Sequence, residues 1–227
     1  MRMEVQAAEE GFAIESSVLS SNECDCLIAD IAKVNRPNRR AGIRNLMSNL
    51  AVRSVASDQR LISIAKRFVG QSAVPFRATL FEKSGRVNWL VVWHQDTVLP
   101  LEKRSDSEEW GPWSLKAGVL YAHAPARVLS KVIALRIHLD ASTELNGPLR
   151  VVPETHRFGV LPEIEVIRIA HARDSVECVG SKGSVIAMRP LLIHASSKMV
   201  DDVPRRVLHI EYIDSLNLTD NIRIVVS

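Results

Sequence analysis

In the run NWLVVWHQDTV, residues 88–98, a histidine and an aspartate stand two apart inside an otherwise apolar, β-prone stretch. A strand alternates faces with a period of two, so His94 and Asp96 share a face with Leu90 and Val92, while Trp89, Val91 and Trp93 point the other way. An imidazole and a carboxylate converging from one strand suit a metal site of the two-histidine, one-carboxylate kind, which keeps coordination positions open for reactants. The competing reading is a buried His–Asp hydrogen bond. A buried carboxylate needs strong compensation, and a metal supplies it.

A third ligand has to come from a strand far away in sequence. Of the seven histidines, His123 lies in YAHAPAR beside an irregular stretch and His171 in a polar connection, so surface roles suit both, and His156 follows a strand that ends in a turn. His138 and His209 lie inside strands and compete more seriously, as satisfied core histidines or as pocket lining. His194, in RPLLIHASS, is favoured by its sequel: Ser196 follows two residues on and Arg205 eleven on. Arginine binds a carboxylate bidentately, as a dicarboxylate cosubstrate would need.

Strand parity gives a separate check. If Arg205 faces the interior, so do Val207, His209 and Glu211, and Arg206, Leu208, Ile210 and Tyr212 face outward. In KVIALRIHLD, Ile133, Leu135, Ile137 and Leu139 would pack under helices, leaving Arg136 and His138 to enter the funnel as candidate substrate contacts.

The elements that must position these residues follow from periodicity. Ser20 with Glu23 three residues later forms a capping box ahead of Cys24, Leu27, Ile28 and Ile31, which fall on one helical face. A second helix runs from about Ser57 through Leu61, Ile64, Ala65 and Phe68 and stops at Gly70. Between them, RPNRRAGIRNL (36–46) carries four arginines and reads as a solvated loop rather than an anion site. From Val74 onward short β-branched runs alternate with Gly, Pro, Asn and Asp: VPFRATLFEK, VNWLVVWHQD, KVIALRIHLD, PLRVVPETHR, GSVIAMRPLLIH and RRVLHIEYID. They predict a mainly β protein with flanking helices, a sandwich or jelly roll. Residues 97–118 form one long irregular stretch directly after the His–Asp pair, with the length of a lid or binding loop. Its Trp110 and Trp113 are either anchors for that loop or substrate contacts.

The chain of 227 residues suits a single domain, with residues 1–73 mainly helical and 74–215 forming the β core. With 29 basic against 26 acidic residues and a net charge of +3, neither nucleic acid nor an anionic membrane is an expected partner. The N-terminus lacks the apolar core of a signal peptide and no apolar run reaches transmembrane length, which predicts a cytoplasmic protein. Cys24, Cys26 and Cys178 read as reduced packing residues.

Taken together, HQD (94–96), NGPLRVVPETHRFG (146–159), and His194 with Ser196 and Arg205 resemble the phytanoyl-CoA dioxygenase (PhyH-like) family of Fe(II)/2-oxoglutarate-dependent oxygenases, from about Gly11 to Tyr212. The resemblance implies a cupin-like double-stranded β-helix and iron held by His94, Asp96 and His194. It also implies 2-oxoglutarate held at its C5 carboxylate by Arg205 with help from Ser196, and O2 as the oxidant. One departure is visible, since the family's usual Pro-Gly-Ser-His reads Pro-Glu-Thr-His at 153–156. The implied reaction is hydroxylation of a small-molecule substrate with release of succinate and carbon dioxide. Asp96 stands where related halogenases carry a small residue, so a halide site is not implied. Two rivals remain at this point: a cupin-like metal-dependent isomerase, lyase or hydrolase, and a non-catalytic ligand-binding barrel. The sequence specifies neither the substrate nor the oligomeric state.

Overall fold

The computed structural model describes residues 6, 8–34, 42–116, 118–218 and 221–227. In chain order the elements are β1 (Phe12–Glu15), α1 (Ser21–Ala32), β2 (Gly42–Ile43), α2 (Leu50–Ala56), α3 (Gln59–Val69), β3 (Val74–Lys83), β4 (Val91–His94), β5 (Val98–Leu101), β6 (Trp113–Lys116) and β7 (Val119–His123). There follow the short α4 (Ala126–Leu129), β8 (Ile133–His138), β9 (Leu149–Val151), α5 (Glu163–Ala172), β10 (Val176–Cys178), β11 (Val185–Met188), β12 (His194–Ser196) and β13 (Arg205–Ile213).

The strands build a double-stranded β-helix. A major sheet in the order β1-β11-β8-β13-β3-β2 faces a minor sheet in the order β10-β9-β12-β4. Phe12, Ile186 and Met188 of the major sheet pack with Leu149, Val151 and Cys178 of the minor one. The outer face of the major sheet carries Ile133, Leu135, Ile137, Leu139, Leu208, Ile210 and Tyr212 against α1, α2 and α3. This is the face that strand parity predicts. Burying so much aliphatic surface at about 25 cal/mol per Å2 makes this layer the main source of stability. Tyr212, fully buried, settles its hydroxyl by donating to the Ala56 carbonyl at 3.0 Å. On the minor sheet, α5 covers Trp93, Val152 and Ile193 with Val166 and Ala170.

Several sequence expectations change in detail. The helix ending at Gly70 starts at Gln59, because Asp58 caps it by accepting from the Arg60 N–H at 2.8 Å. Residues 97–118 are not one irregular stretch: β5 and β6 flank β7 in a small sheet of order β5-β7-β6. Pro100 does not prevent this because β5 is an edge strand, where a missing N–H costs no ladder bond. Trp110 is buried and Trp113 partly buried in the apolar cluster beneath that sheet. GSVIAMRPLLIH splits into β11 and β12, which lie in opposite sheets. The strand carrying His94 is not buried, since β4 lies at the sheet edge with Leu90 and Val92 exposed and only its Trp93 side covered. Among the cysteines, Cys24 and Cys178 are buried, whereas Cys26 is exposed on α1 and so is not a packing residue. Of the arginine-rich segment, Arg36, Arg39 and Arg40 lie outside the described residues. No helix among the described residues is long and apolar enough to cross a membrane.

The capping box on α1 forms as read: the Ser20 hydroxyl accepts from the Glu23 N–H at 3.3 Å, and the Glu23 carboxylate accepts from the Ser20 N–H at 2.8 Å. Ser20→Ala should therefore lower stability by about 1 kcal/mol, whereas Ser21→Ala one residue on should be near neutral. Denaturant midpoints of the two variants check this.

Candidate metal centre

The antiparallel pairing of β12 with β4 sets His194 directly opposite His94, with ring centroids 4.2 Å apart. Asp96 lies just beyond the end of β4, where its N–H donates to the Pro190 carbonyl at 2.8 Å. Ligand atoms of His94, Asp96 and His194 all fall within 4.8 Å of one another. The residue between His94 and Asp96 explains why this strand end is fixed. Gln95 points inward, donates to the carbonyls of Leu191 at 2.7 Å and Gly159 at 2.9 Å, and accepts from the Leu161 N–H at 2.9 Å.

Both imidazoles have their tautomer set by the backbone. His94 Nδ1 lies 2.8 Å from the Val92 carbonyl, and His194 Nδ1 lies 2.8 Å from the Leu192 carbonyl. A carbonyl can only accept, so each Nδ1 carries the hydrogen and each Nε2 keeps its lone pair. Those Nε2 atoms face the Asp96 carboxylate at 3.8 and 3.5 Å. Burial and the neighbouring His94 push His194 down to about 3, so its ring is neutral at physiological pH. Burial raises the Asp96 carboxyl, but His194, His94, His209 and Arg77 outweigh it and hold the group well below the usual carboxylate range. Two imidazole Nε2 atoms and one carboxylate oxygen within 4.8 Å of one another fit a divalent first-row metal ion.

Beside this triad the ladder of β13 with β3 and β8 gathers cations. The register pairs Arg205 with Lys83, His209 with Thr79 and Glu211 with Arg77, and pairs His209 with Arg136 on the other side. Lys83, Arg136 and Arg205 are 1%, 7% and 4% exposed. Among the described residues no carboxylate lies within salt-bridge distance of any of the three. Lys83 donates to the Ser196 hydroxyl at 2.7 Å and to the Ser197 carbonyl, and Arg205 donates to the same hydroxyl at 3.2 Å and to the Asn146 carbonyl at 3.2 Å. The Ser196 hydrogen goes to the Gly147 carbonyl at 2.9 Å. Gly147 has φ +68°, and a Cβ there would lie 2.5 Å from the Ser197 carbonyl, so this close approach requires glycine.

Burial, together with Arg205, Arg136 and Arg150, pushes Lys83 down to about 7. Burial and Arg136 push Arg205 down to about 9. His138, pushed down to about 4 by burial, Arg136 and Arg205, is buried with its Nδ1 unpartnered, as is the Arg136 Nε. Like charges opposed across a ladder are destabilising. A buried cluster of this kind with orphaned donors fits a dianionic ligand.

A cavity of about 330 Å3 opens over His94 and Asp96. Arg44, Lys116, His123 and His209 are among its other lining residues. Neither Trp110 nor Trp113 lines it; both serve as anchors of the loop between β5 and β6. Arg136 and His138 enter the interior as parity predicts, and Arg136 donates to His209 Nδ1 at 3.0 Å. Sequence reasoning missed Lys83, although the signal was there: Arg77, Thr79, Phe81 and Lys83 alternate along β3 with Ala78, Leu80 and Glu82, so the inner face of that strand was legible by period two. His123 is exposed, as the sequence suggests, and its ring also lines the mouth of the cavity with its Nδ1 2.8 Å from the Thr97 hydroxyl.

The family model described as "Phytanoyl-CoA dioxygenase (PhyH)" matches residues 7–207. The chain belongs to the phytanoyl-CoA dioxygenase family. An ectoine dioxygenase of Sphingopyxis alaskensis is 23% identical over 173 residues, which is 66% of this chain and 50% of that protein, so the chain spans about half the length of this curated relative. The crystal structure of AviO1 from Streptomyces viridochromogenes Tue57 superposes with a TM-score of 0.67 at 23% identity and covers 93% of each chain. EctD from S. alaskensis, solved with 2-oxoglutarate and 5-hydroxyectoine, superposes with a TM-score of 0.69 at 22% identity, covering 92% of this chain and 74% of that one. At such identities these structures establish the shared fold.

The depressed Lys83 makes a pH prediction for the metal-free, ligand-free protein. Between about pH 7 and the ordinary lysine value of 10.5, the unfolded chain holds a proton on Lys83 that the folded chain lacks, so stability rises with pH in that window. Lys83→Met should remove this contribution. The difference in Tm between variant and wild type should then shrink steadily from pH 7 to 9.5; a pH-independent difference would contradict the charged, counterion-free environment.

Proposed function

We propose that the protein is an Fe(II)- and 2-oxoglutarate-dependent dioxygenase that hydroxylates a small-molecule substrate. The observation that carries this reading is the juxtaposition of the His94–Asp96–His194 triad with a buried cluster of Lys83, Arg136 and Arg205 that has no carboxylate partner among the described residues. A metal-dependent isomerase or lyase could use the triad but has no need of the cations. A merely structural barrel would not keep both. Family membership and the fold shared with EctD, whose structure holds 2-oxoglutarate, support the same reading.

In this reading His94, Asp96 and His194 hold Fe(II). The metal supplies the oxidative decarboxylation of 2-oxoglutarate to succinate and carbon dioxide and the oxidation of a substrate C–H bond by O2. The chain's own residues bind, orient and exclude water. Arg205 and Lys83, drawn together on the Ser196 hydroxyl, receive the distal carboxylate of the cosubstrate. Arg136, braced by His209, adds a further positive charge to the same interior. Gln95 keeps His94 and Asp96 aimed at His194. Arg77, which lines the cavity, is neutralised by buried Glu211 through Nη2 to Oε1 at 2.6 Å and a second contact.

Two sets of variants test this. His94→Ala, Asp96→Ala and His194→Ala should each abolish Fe(II) binding or 2-oxoglutarate turnover; loss in His138→Ala or His209→Ala with an active His194→Ala would show that the third ligand is misassigned. Charge-assisted hydrogen bonds are worth about 1.5–3 kcal/mol each. Arg205→Ala should therefore raise the 2-oxoglutarate requirement roughly ten- to a few-hundred-fold at about 1.4 kcal/mol per factor of ten, while Fe(II) affinity without cosubstrate changes little. Lysine at 205 should rescue only in part, because it keeps the charge and loses the fork. Arg206, which faces outward and pairs with Asp140 at 2.7 and 2.9 Å, is the internal control, and Arg206→Ala should leave the requirement near wild type.

A further inference from the structure

Once the triad and the interior cluster are assigned, two cations at the cavity remain without a role. Asp96 is the one acid among the described residues lining the cavity, and it faces the two histidines. Arg77 is committed to Glu211 and, through Nη1, to the Val98 carbonyl at 2.8 Å. Arg44 and Lys116 line the same cavity, and neither has a carboxylate within salt-bridge distance among the described residues.

Both sit at strand ends. Lys116 ends β6, and its Nζ sits 5.8 Å from the centroid of the Tyr121 ring. The Tyr121 hydroxyl donates to Asn45 Oδ1 at 3.4 Å, so one tyrosine ties the segment carrying Arg44 to the sheet carrying Lys116. Arg44 directly follows β2, whose Gly42 is pressed against β3: a Cβ there would lie 2.5 Å from the Leu80 carbonyl. Only glycine lets β2 lie close enough to bring Arg44 to the cavity.

Resting on the oxygenase reading, we propose that the prime substrate is a small organic acid, a carboxylate or a phosphate monoester, whose anionic group is bound between Arg44 and Lys116. The cosubstrate's two carboxylates are met by the interior cations and the metal, so this pair is left for a separate anion. Exposed charges of one sign at the mouth of a cleft also draw such a substrate in from solution.

The test uses the Fe(II)-loaded protein with 2-oxoglutarate and follows succinate release in the presence of a panel of small carboxylic acids and phosphate monoesters. Each acid is run beside its neutral counterpart, the primary amide or the parent alcohol. Acids should stimulate release and their counterparts should not, and the arm that responds identifies carboxylate or phosphate. For the best acid, Arg44→Gln and Lys116→Gln should each raise KM about ten-fold or more, with a smaller fall in kcat, and added salt should raise the wild-type KM. Arg168→Gln, on the exposed face of α5 outside the cavity, should not alter KM. The proposal is overturned if neutral counterparts stimulate as well as acids, if the Arg44→Gln/Lys116→Gln double variant keeps the wild-type KM, or if no acid stimulates although the wild type forms the visible Fe(II)–2-oxoglutarate absorption band. Failure to form that band overturns the oxygenase reading itself, which separates the two.

Discussion

Lys83 and Arg205 stand opposite each other across a β ladder, both buried, with Arg136 close enough to depress Arg205 further. Coulomb repulsion and lost hydration both oppose this arrangement, and no acid of the chain relieves it among the described residues. Four protein acceptors, the Ser196 hydroxyl and the carbonyls of Ser196, Ser197 and Asn146, hold the two side chains in place without neutralising them. Such a site is stable enough to fold only because the surrounding sandwich and its helical layer overdetermine it. Its unmet charge is the feature that the dianionic cosubstrate of the proposed function would answer.

The two sides of β13 explain how that charge is kept inside. Leu208, Ile210 and Tyr212 bury against the helices, so the alternating residues Arg205, Val207, His209 and Glu211 have to face the interior. A slip of one residue would turn the aliphatic face toward the interior and bury Arg205, His209 and Glu211 under the helices, where the apolar layer could not compensate them. The apolar layer and the cationic site are therefore two consequences of one register. The same logic runs through β3 and β8, whose outward Ala78, Leu80, Leu135 and Ile137 fix Lys83 and Arg136 inward.

The candidate metal centre depends on a different device. Its histidines come from paired strands of the minor sheet, and each is oriented by a backbone carbonyl two residues earlier rather than by a side chain. Asp96 lies outside the ladder, so its place is secured by its own N–H and by the three bonds of Gln95. Backbone acceptors fix the tautomers without adding competing charge beside the carboxylate.

The sequence alone determined the local and periodic features. The capping box at Ser20, the helix stop at Gly70, the strand runs, and the inward faces of β8 and β13 all follow from spacing, because helix and strand periods are properties of neighbouring residues. The pair His94 and Asp96 was legible for the same reason. Tertiary structure decided what depends on residues far apart in the chain. It opposes His194 to His94 through sheet pairing, and it splits GSVIAMRPLLIH between two sheets. The stretch 97–118 becomes strands on β7 around an edge proline, and Trp110 and Trp113 move off the cavity wall. Arg44 and His123 reach the cavity from segments that read as loop, because their neighbours there are supplied by β3, β5 and Tyr121. Local pattern fixes which way a side chain points from its own strand; only the folded chain decides what it points at.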